Sequence, residues 1–107
     1  MAWKVTLKPS ALEDLDWFGR KTSRLLRETA EHELRTDPLA ETRNKKTLRP
    51  NAVAQRELRL FGKYRVLFDV DQDAEKVTIV LVGEKRGNKH FVQGKEFTEH
   101  HEDDNDQ

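Results

Sequence analysis

Apolar and polar residues alternate along Trp3-Lys4-Val5-Thr6-Leu7, the period of a half-buried strand, and Lys8-Pro9 ends the run. The period then changes. Ala11, Leu12, Leu15 and Phe18 fall at helical spacing, which turns Glu13, Asp14 and Asp16 toward solvent, and Ser10 with Glu13 three residues on has the form of a capping box. A break over 19–23 leads to a second helix over 23–36, with Leu26, Ala30 and Leu34 on its inner face and Asp37-Pro38 as its stop. So short a break predicts an antiparallel helix pair. Residues 39–54 show no clear period, and Leu48 and Val53 are their expected anchors.

Three strands follow. In 56–60, Leu58 and Leu60 share one face while Glu57 and Arg59 share the other; in 64–71, Val66, Phe68 and Val70 lie opposite Arg65, Leu67 and Asp69. A tight turn at Gly62-Lys63 makes these two a hairpin and directs Arg59 and Arg65 together away from the helices. Residues 77–82 are apolar on both faces, as in a central strand, and a short edge strand is expected around His90-Phe91-Val92. The predicted class is α+β: an N-terminal strand, an antiparallel helix pair and a three- to four-stranded antiparallel sheet. One domain spans 1–97, and 98–107 read as an acidic, disordered tail.

At 107 residues the chain closes a single core, and 37% charged against 35% hydrophobic residues leaves much of it solvated. With no cysteine there is no disulfide framework or thiolate metal site, which fits a reducing cytoplasm. The first residues lack the layout of a signal peptide, and no apolar run approaches the roughly 20 residues of a membrane span, so a soluble protein without membrane contact is expected. The balance of 20 basic against 20 acidic residues conceals an asymmetry. Between Arg43 and Arg65 stand eight basic residues and one acid, Glu57, whereas six acids and no Lys or Arg follow Lys95.

Asp71, Asp73 and Glu75 imitate the start of a calcium loop, but Lys76 holds its glycine position and Val82 its twelfth. His90, His100 and His101 have no partner at metal-ligand spacing, and there is neither a glycine-rich phosphate loop nor a nucleophile elbow. No metal or cofactor is expected. The arginines on strands remain: a planar guanidinium held on a sheet suits a phosphate, because its fork pairs bidentately with the oxygens. The alternative is surface charge neutralised by Glu57, Asp69 and Glu84.

Lys46-Thr47-Leu48-Arg49-Pro50-Asn51, Glu57-Leu58-Arg59-Leu60, Tyr64-Arg65-Val66-Leu67-Phe68 and Val82-Gly83-Glu84-Lys85-Arg86-Gly87-Asn88 stand in that order. Together they resemble the RelE/ParE superfamily of toxins from bacterial type II toxin–antitoxin systems, over Trp3 to Phe97. The resemblance implies an antitoxin partner and one of two activities. RelE-like members cut mRNA on the ribosome without a metal, by attack of a 2′-hydroxyl on the neighbouring phosphate; ParE-like members poison DNA gyrase. A third possibility is a member that only binds its antitoxin.

The resemblance carries Arg65 and Arg86 over as phosphate ligands, with Arg59 or Arg56 as the third cation. Lys45, Lys46, Arg49, Arg56, Lys63 and Lys85 are the expected substrate-binding residues. Where RelE-like enzymes often have a tyrosine, this chain has His90-Phe91. Phe91 cannot donate a proton, which leaves His90, of a residue type whose ordinary pKa of about 6.5 suits acid–base work. If Phe91 enters the core, strand alternation points His90 outward. The base is narrowed only to Glu57, Lys63 or Lys85.

Overall fold

The computed structural model describes residues 3–97, so the expected tail over 98–107 lies outside the described residues. In chain order they form β1 (Lys4–Leu7), α1 (Pro9–Trp17), α2 (Arg20–Thr36), β2 (Lys45–Thr47), β3 (Arg56–Leu60), β4 (Tyr64–Asp71), β5 (Lys76–Arg86), β6 (Lys89–Val92) and β7 (Lys95–Glu96). Strands β2 to β7 lie side by side in sequence order and antiparallel, and β1 pairs with β5 in parallel. The expected meander is present as β3, β4 and β5. The sheet is wider than expected because the aperiodic stretch contributes β2 and both ends of the domain add strands.

Both helices cover one face of this sheet. Ala11 and Leu15 from α1 and Leu26, Ala30 and Leu34 from α2 meet Leu58, Leu60, Val66, Phe68, Val77, Ile79 and Val82. Two local expectations do not hold. Phe18 and Gly19 are the whole break, and α2 starts at Arg20; Gly19, at φ 89°, makes the corner with a positive φ that glycine adopts at little cost. Leu12 is 40% exposed, since α1 turns a narrow stripe inward and leaves Leu12 on its flank.

Strand β5 is eleven residues long and outruns its neighbours. On one side β4 pairs along nearly its whole length; on the other, β1 ends at the Leu7–Ile79 pair and β6 begins only at the Glu84–Phe91 pair. The flank of residues 80–83 is therefore left for α1 to close. The Lys8 N–H donates to the Ile79 carbonyl (2.9 Å), Ser10 Oγ donates to the Val80 carbonyl (3.1 Å), and Asp14 Oδ2 accepts from the Val82 N–H (3.0 Å). Asp14 Oδ1 also accepts from Gln93 Nε2 (2.7 Å), which ties the β6–β7 turn to the same carboxylate.

The capping box is thereby replaced. Lys8 is the N-cap, Pro9 supplies a preset helical φ in the first turn, and the Ser10 hydroxyl serves the sheet instead of its own helix. Asp14, expected to face solvent, is buried because the strand's N–H needs an acceptor there. At the next residue, Gly83 runs so close to β6 that a Cβ would fall 2.5 Å from the Phe91 carbonyl oxygen. The aperiodic loop is held by a polar residue more than by Leu48 and Val53, which are only half-buried. Asn51 Nδ2 donates to the Arg49 and Ala54 carbonyls, and its Oδ1 accepts from the Val53 and Ala54 N–H groups.

Burial raises the Asp14 carboxyl above its ordinary range, with the Gln93 and Val82 hydrogen bonds opposing. Folding therefore favours the protonated group, and this contribution is present below the unfolded pKa and lost as pH rises through the folded one. Asp14→Asn keeps an acceptor for Val82 without the charge, so its stability in urea melts should improve relative to the parent as pH rises from about 3 to 7. Asp14→Ala leaves the Val82 N–H unsatisfied and should cost about 1–3 kcal/mol at neutral pH.

Candidate functional site

Cross-strand pairing divides the candidate residues between two faces. On the face away from the helices, Lys46, Glu57, Leu67 and Leu81 form one row; Arg59, Arg65 and Gly83 form the next; Lys85 and His90 follow. Arg59 and Arg65 stand directly opposite each other, an arrangement that like charges disfavour. Glu57 offsets it. Its carboxylate is 2% exposed and lies between them, with Oε1 3.6 Å from Arg59 Nε and Oε2 3.9 Å from Arg65 Nε. These are ion-pair distances, too long for hydrogen bonds.

Arg65 is buried beneath this face, and its Nη1 donates to the Tyr64 carbonyl (3.1 Å) and more weakly to that of Gly62 (3.5 Å). Burial pushes its pKa below the ordinary value; Glu57 opposes the shift and Arg59 adds to it. An arginine keeps its proton under such a displacement and serves as a fixed positive charge. Arg59 is the more accessible of the two. His90 is buried, lining a small cavity with Arg65, Leu67, Leu81 and Phe97, while Phe91 is half-buried on the opposite side. His90 and Phe91 thus take opposite faces, as strand alternation predicts, but His90 is buried on its face and Phe91 is only half-buried on the other. The Phe97 N–H closes on the His90 carbonyl at 2.7 Å and brings Phe97 to the cavity beside this row.

Arg86 is elsewhere. Tyr64 pairs with Glu84, and Arg86, two residues on, keeps Glu84's side of the strand, opposite to Arg65. There Glu84, itself buried, accepts from Arg86 Nη2 (2.6 Å) and Nε (3.2 Å) and lies 3.6 Å from Lys63 Nζ. The Arg86 guanidinium sits over the Phe91 ring at 4.7 Å, and Lys63 Nζ lies 5.4 Å from the centre of the Tyr64 ring.

Two other expected ligands are occupied in holding the fold. Lys45 is buried, and its Nζ donates to the Asp37 and Glu33 carbonyls at the C-terminus of α2 (2.8 and 3.3 Å), where a cation complements the helix dipole. Arg56 Nη1 donates to Glu41 Oε2 (2.9 Å) and Thr47 Oγ1 (2.7 Å), and its Nη2 donates to the Ala40 carbonyl (2.8 Å), which fastens the loop before β2. Thr47 and Arg56 hold the Glu41 carboxyl below its usual range. Arg49 lies on the exposed loop before Asn51. The structure thus brings Arg59, Arg65, Lys85, Lys46 and His90 to one face and sends Arg86 and Lys63 to the other. Once Arg65 is paired with Gly83, strand alternation puts Lys85, not Arg86, in phase with Arg65.

No family model matches the sequence, and no curated protein does. Among solved structures, a chain of the toxin–antitoxin complex RelBE2 from Mycobacterium tuberculosis matches with a TM-score of 0.68 and 26% identity, over 79% of this chain and 93% of that one. The fold is RelE-like. The RelE-like fold accounts for the helical hairpin on one face of the sheet, and among the described residues no helix covers the Glu57 face.

In this RelE-like fold Glu57 and Arg65 are coupled, since removing either takes a nearby opposite charge from a buried group. Glu57→Ala and Arg65→Ala should each lower stability by about 3 kcal/mol, whereas the double variant should cost less than the sum. Equilibrium unfolding of all four proteins reads the coupling; strict additivity would show that the pair does not act as a unit.

Proposed function

We propose that the protein is the toxin of a type II toxin–antitoxin system and an endoribonuclease that cuts mRNA on the ribosome, with the Glu57 face as its active surface. The observation that carries this reading is the row of Arg59, Arg65 and Gly83 beside the Lys85–His90 row, built around one buried carboxylate. Arg59 is the cation that reaches a phosphate. Arg65 is a positioning residue, since it is buried and acts through Glu57 and the surrounding field.

In the proposed reaction the 2′-hydroxyl loses its proton, its oxygen bonds to phosphorus, the P–O5′ bond breaks and the departing 5′-oxygen gains a proton. Of the three candidate bases, Glu57 is enclosed by arginines and Lys63 is engaged with Glu84, so Lys85 is left on the active face, across from His90. Likeness to a chain of a toxin–antitoxin complex supports an antitoxin as protein partner in a bacterial cytoplasm.

On induction in bacteria the parent chain should arrest growth and shorten ribosome-bound mRNA, as read by primer extension, and co-expression of the product of an adjacent gene should restore growth. Arg59→Ala, Lys85→Ala and His90→Ala should each reduce cleavage by about 10²-fold or more while the proteins remain folded. Growth arrest with intact mRNA and inhibited gyrase supercoiling would establish the ParE-like alternative instead. A chain that binds its antitoxin and neither arrests growth nor cuts mRNA would be a member that only binds its antitoxin.

A further inference from the structure

The hairpin between β3 and β4 carries a feature that neither the core nor the Glu57 face requires. The Lys63 N–H donates to the Leu60 carbonyl (3.2 Å), and the two residues between them, Phe61 and Gly62, have φ of 55° and 71°. Two positive φ values inside such a turn define type I′, for which asparagine then glycine is the favoured pair. Gly62 obeys the rule. Phe61 does not, because a bulky side chain in the left-handed region is strained.

Nor does burial compensate for that strain. Phe61 is 57% exposed, and its ring meets Tyr64 only edge to face at 6.5 Å. Tyr64 is held on its other side by Phe18 at 5.4 Å, so Phe61 projects from a firm aromatic base. Across the Tyr64–Glu84 pair, Lys63 and Arg86 are anchored to the buried Glu84 with their side chains 55% and 54% exposed. The hairpin tip therefore presents one flat ring beside two half-exposed cations, with a net charge of +1.

We infer that this tip is a stacking platform for an unpaired base of single-stranded RNA: Phe61 stacks on the base, and Lys63 and Arg86 hold the adjacent phosphates. This inference rests on the proposal that the protein acts on RNA. A single ring flanked by cations suits a nucleotide, whose base has a π-face and whose linkage is anionic. A partner helix would need a stripe of apolar residues; the other large exposed apolar side chains among the described residues, Leu12, Trp17 and Leu25, lie on the helices. Arg59 precedes Phe61 by two residues on β3, so one RNA strand can run from the Glu57 face over the tip.

The test uses the full chain and a short fluorescein-labelled single-stranded RNA, with anisotropy as readout. Phe61→Asn supplies the residue that the turn favours, so it should keep or raise Tm while weakening binding about tenfold; Phe61→Trp should bind as the parent does. The Phe61→Asn deficit should persist as salt is raised, whereas Lys63→Ala should flatten the slope of log K against log salt by about one. If Phe61→Asn binds RNA like the parent while Arg59→Ala loses affinity, the platform is refuted and the RNA reading stands. Loss of antitoxin affinity in Phe61→Asn with RNA binding intact also refutes it, in favour of a protein occupant. A parent chain that neither binds the RNA nor cuts ribosome-bound mRNA overturns both.

Discussion

Everything in this fold hangs on the unpaired flank of β5. A central strand must find a partner for each backbone group on both sides, and here the second side is served by three elements in turn: β1, then α1, then β6. The middle of the three is the unusual one. A helix offers no backbone ladder to a strand, so Ser10 and Asp14 must supply a donor and an acceptor from side chains. The same carboxylate accepts from Gln93, and the position of the C-terminal hairpin is thereby linked to the docking of α1. The far end of β5, with Lys85 and Arg86, projects beyond the helix-covered core from this fixed origin.

Charge follows a similar logic at each cationic centre. Glu57 serves Arg59 and Arg65, Glu84 serves Lys63 and Arg86, Glu41 serves Arg56, and Glu33 with two α2-terminal carbonyls serves Lys45. Guanidinium groups on strands of so small a domain would repel one another without carboxylates between them. Such buried pairs add little net stability, because desolvation offsets the Coulomb attraction. Their effect is geometric: each carboxylate holds its cations in a defined place, and preorganised charge is what phosphate chemistry requires. The structure shows these arginines as neutralised charge, and under the proposed function one of the same side chains, Arg59, meets the phosphate.

Hydrophobic period was enough to specify much of this protein. The meander of β3 to β5, the inner face of α2 and the opposition of Arg59 to Arg65 across a hairpin all follow from alternation and helical spacing, which depend only on local backbone geometry. The four motifs that resemble RelE/ParE toxins likewise stand in the linear sequence. Tertiary structure decided what depends on residues distant in the chain. Asp14 looks like a helix-surface acid until a strand 68 residues away leaves an N–H without a partner. Ser10 looks like a cap until its hydroxyl donates to the Val80 carbonyl, and Lys45 and Arg56 are engaged by a helix end and a loop that lie apart from them in sequence. The side on which Arg86 falls required the register between β4 and β5, because a shift of one residue along a strand exchanges its faces.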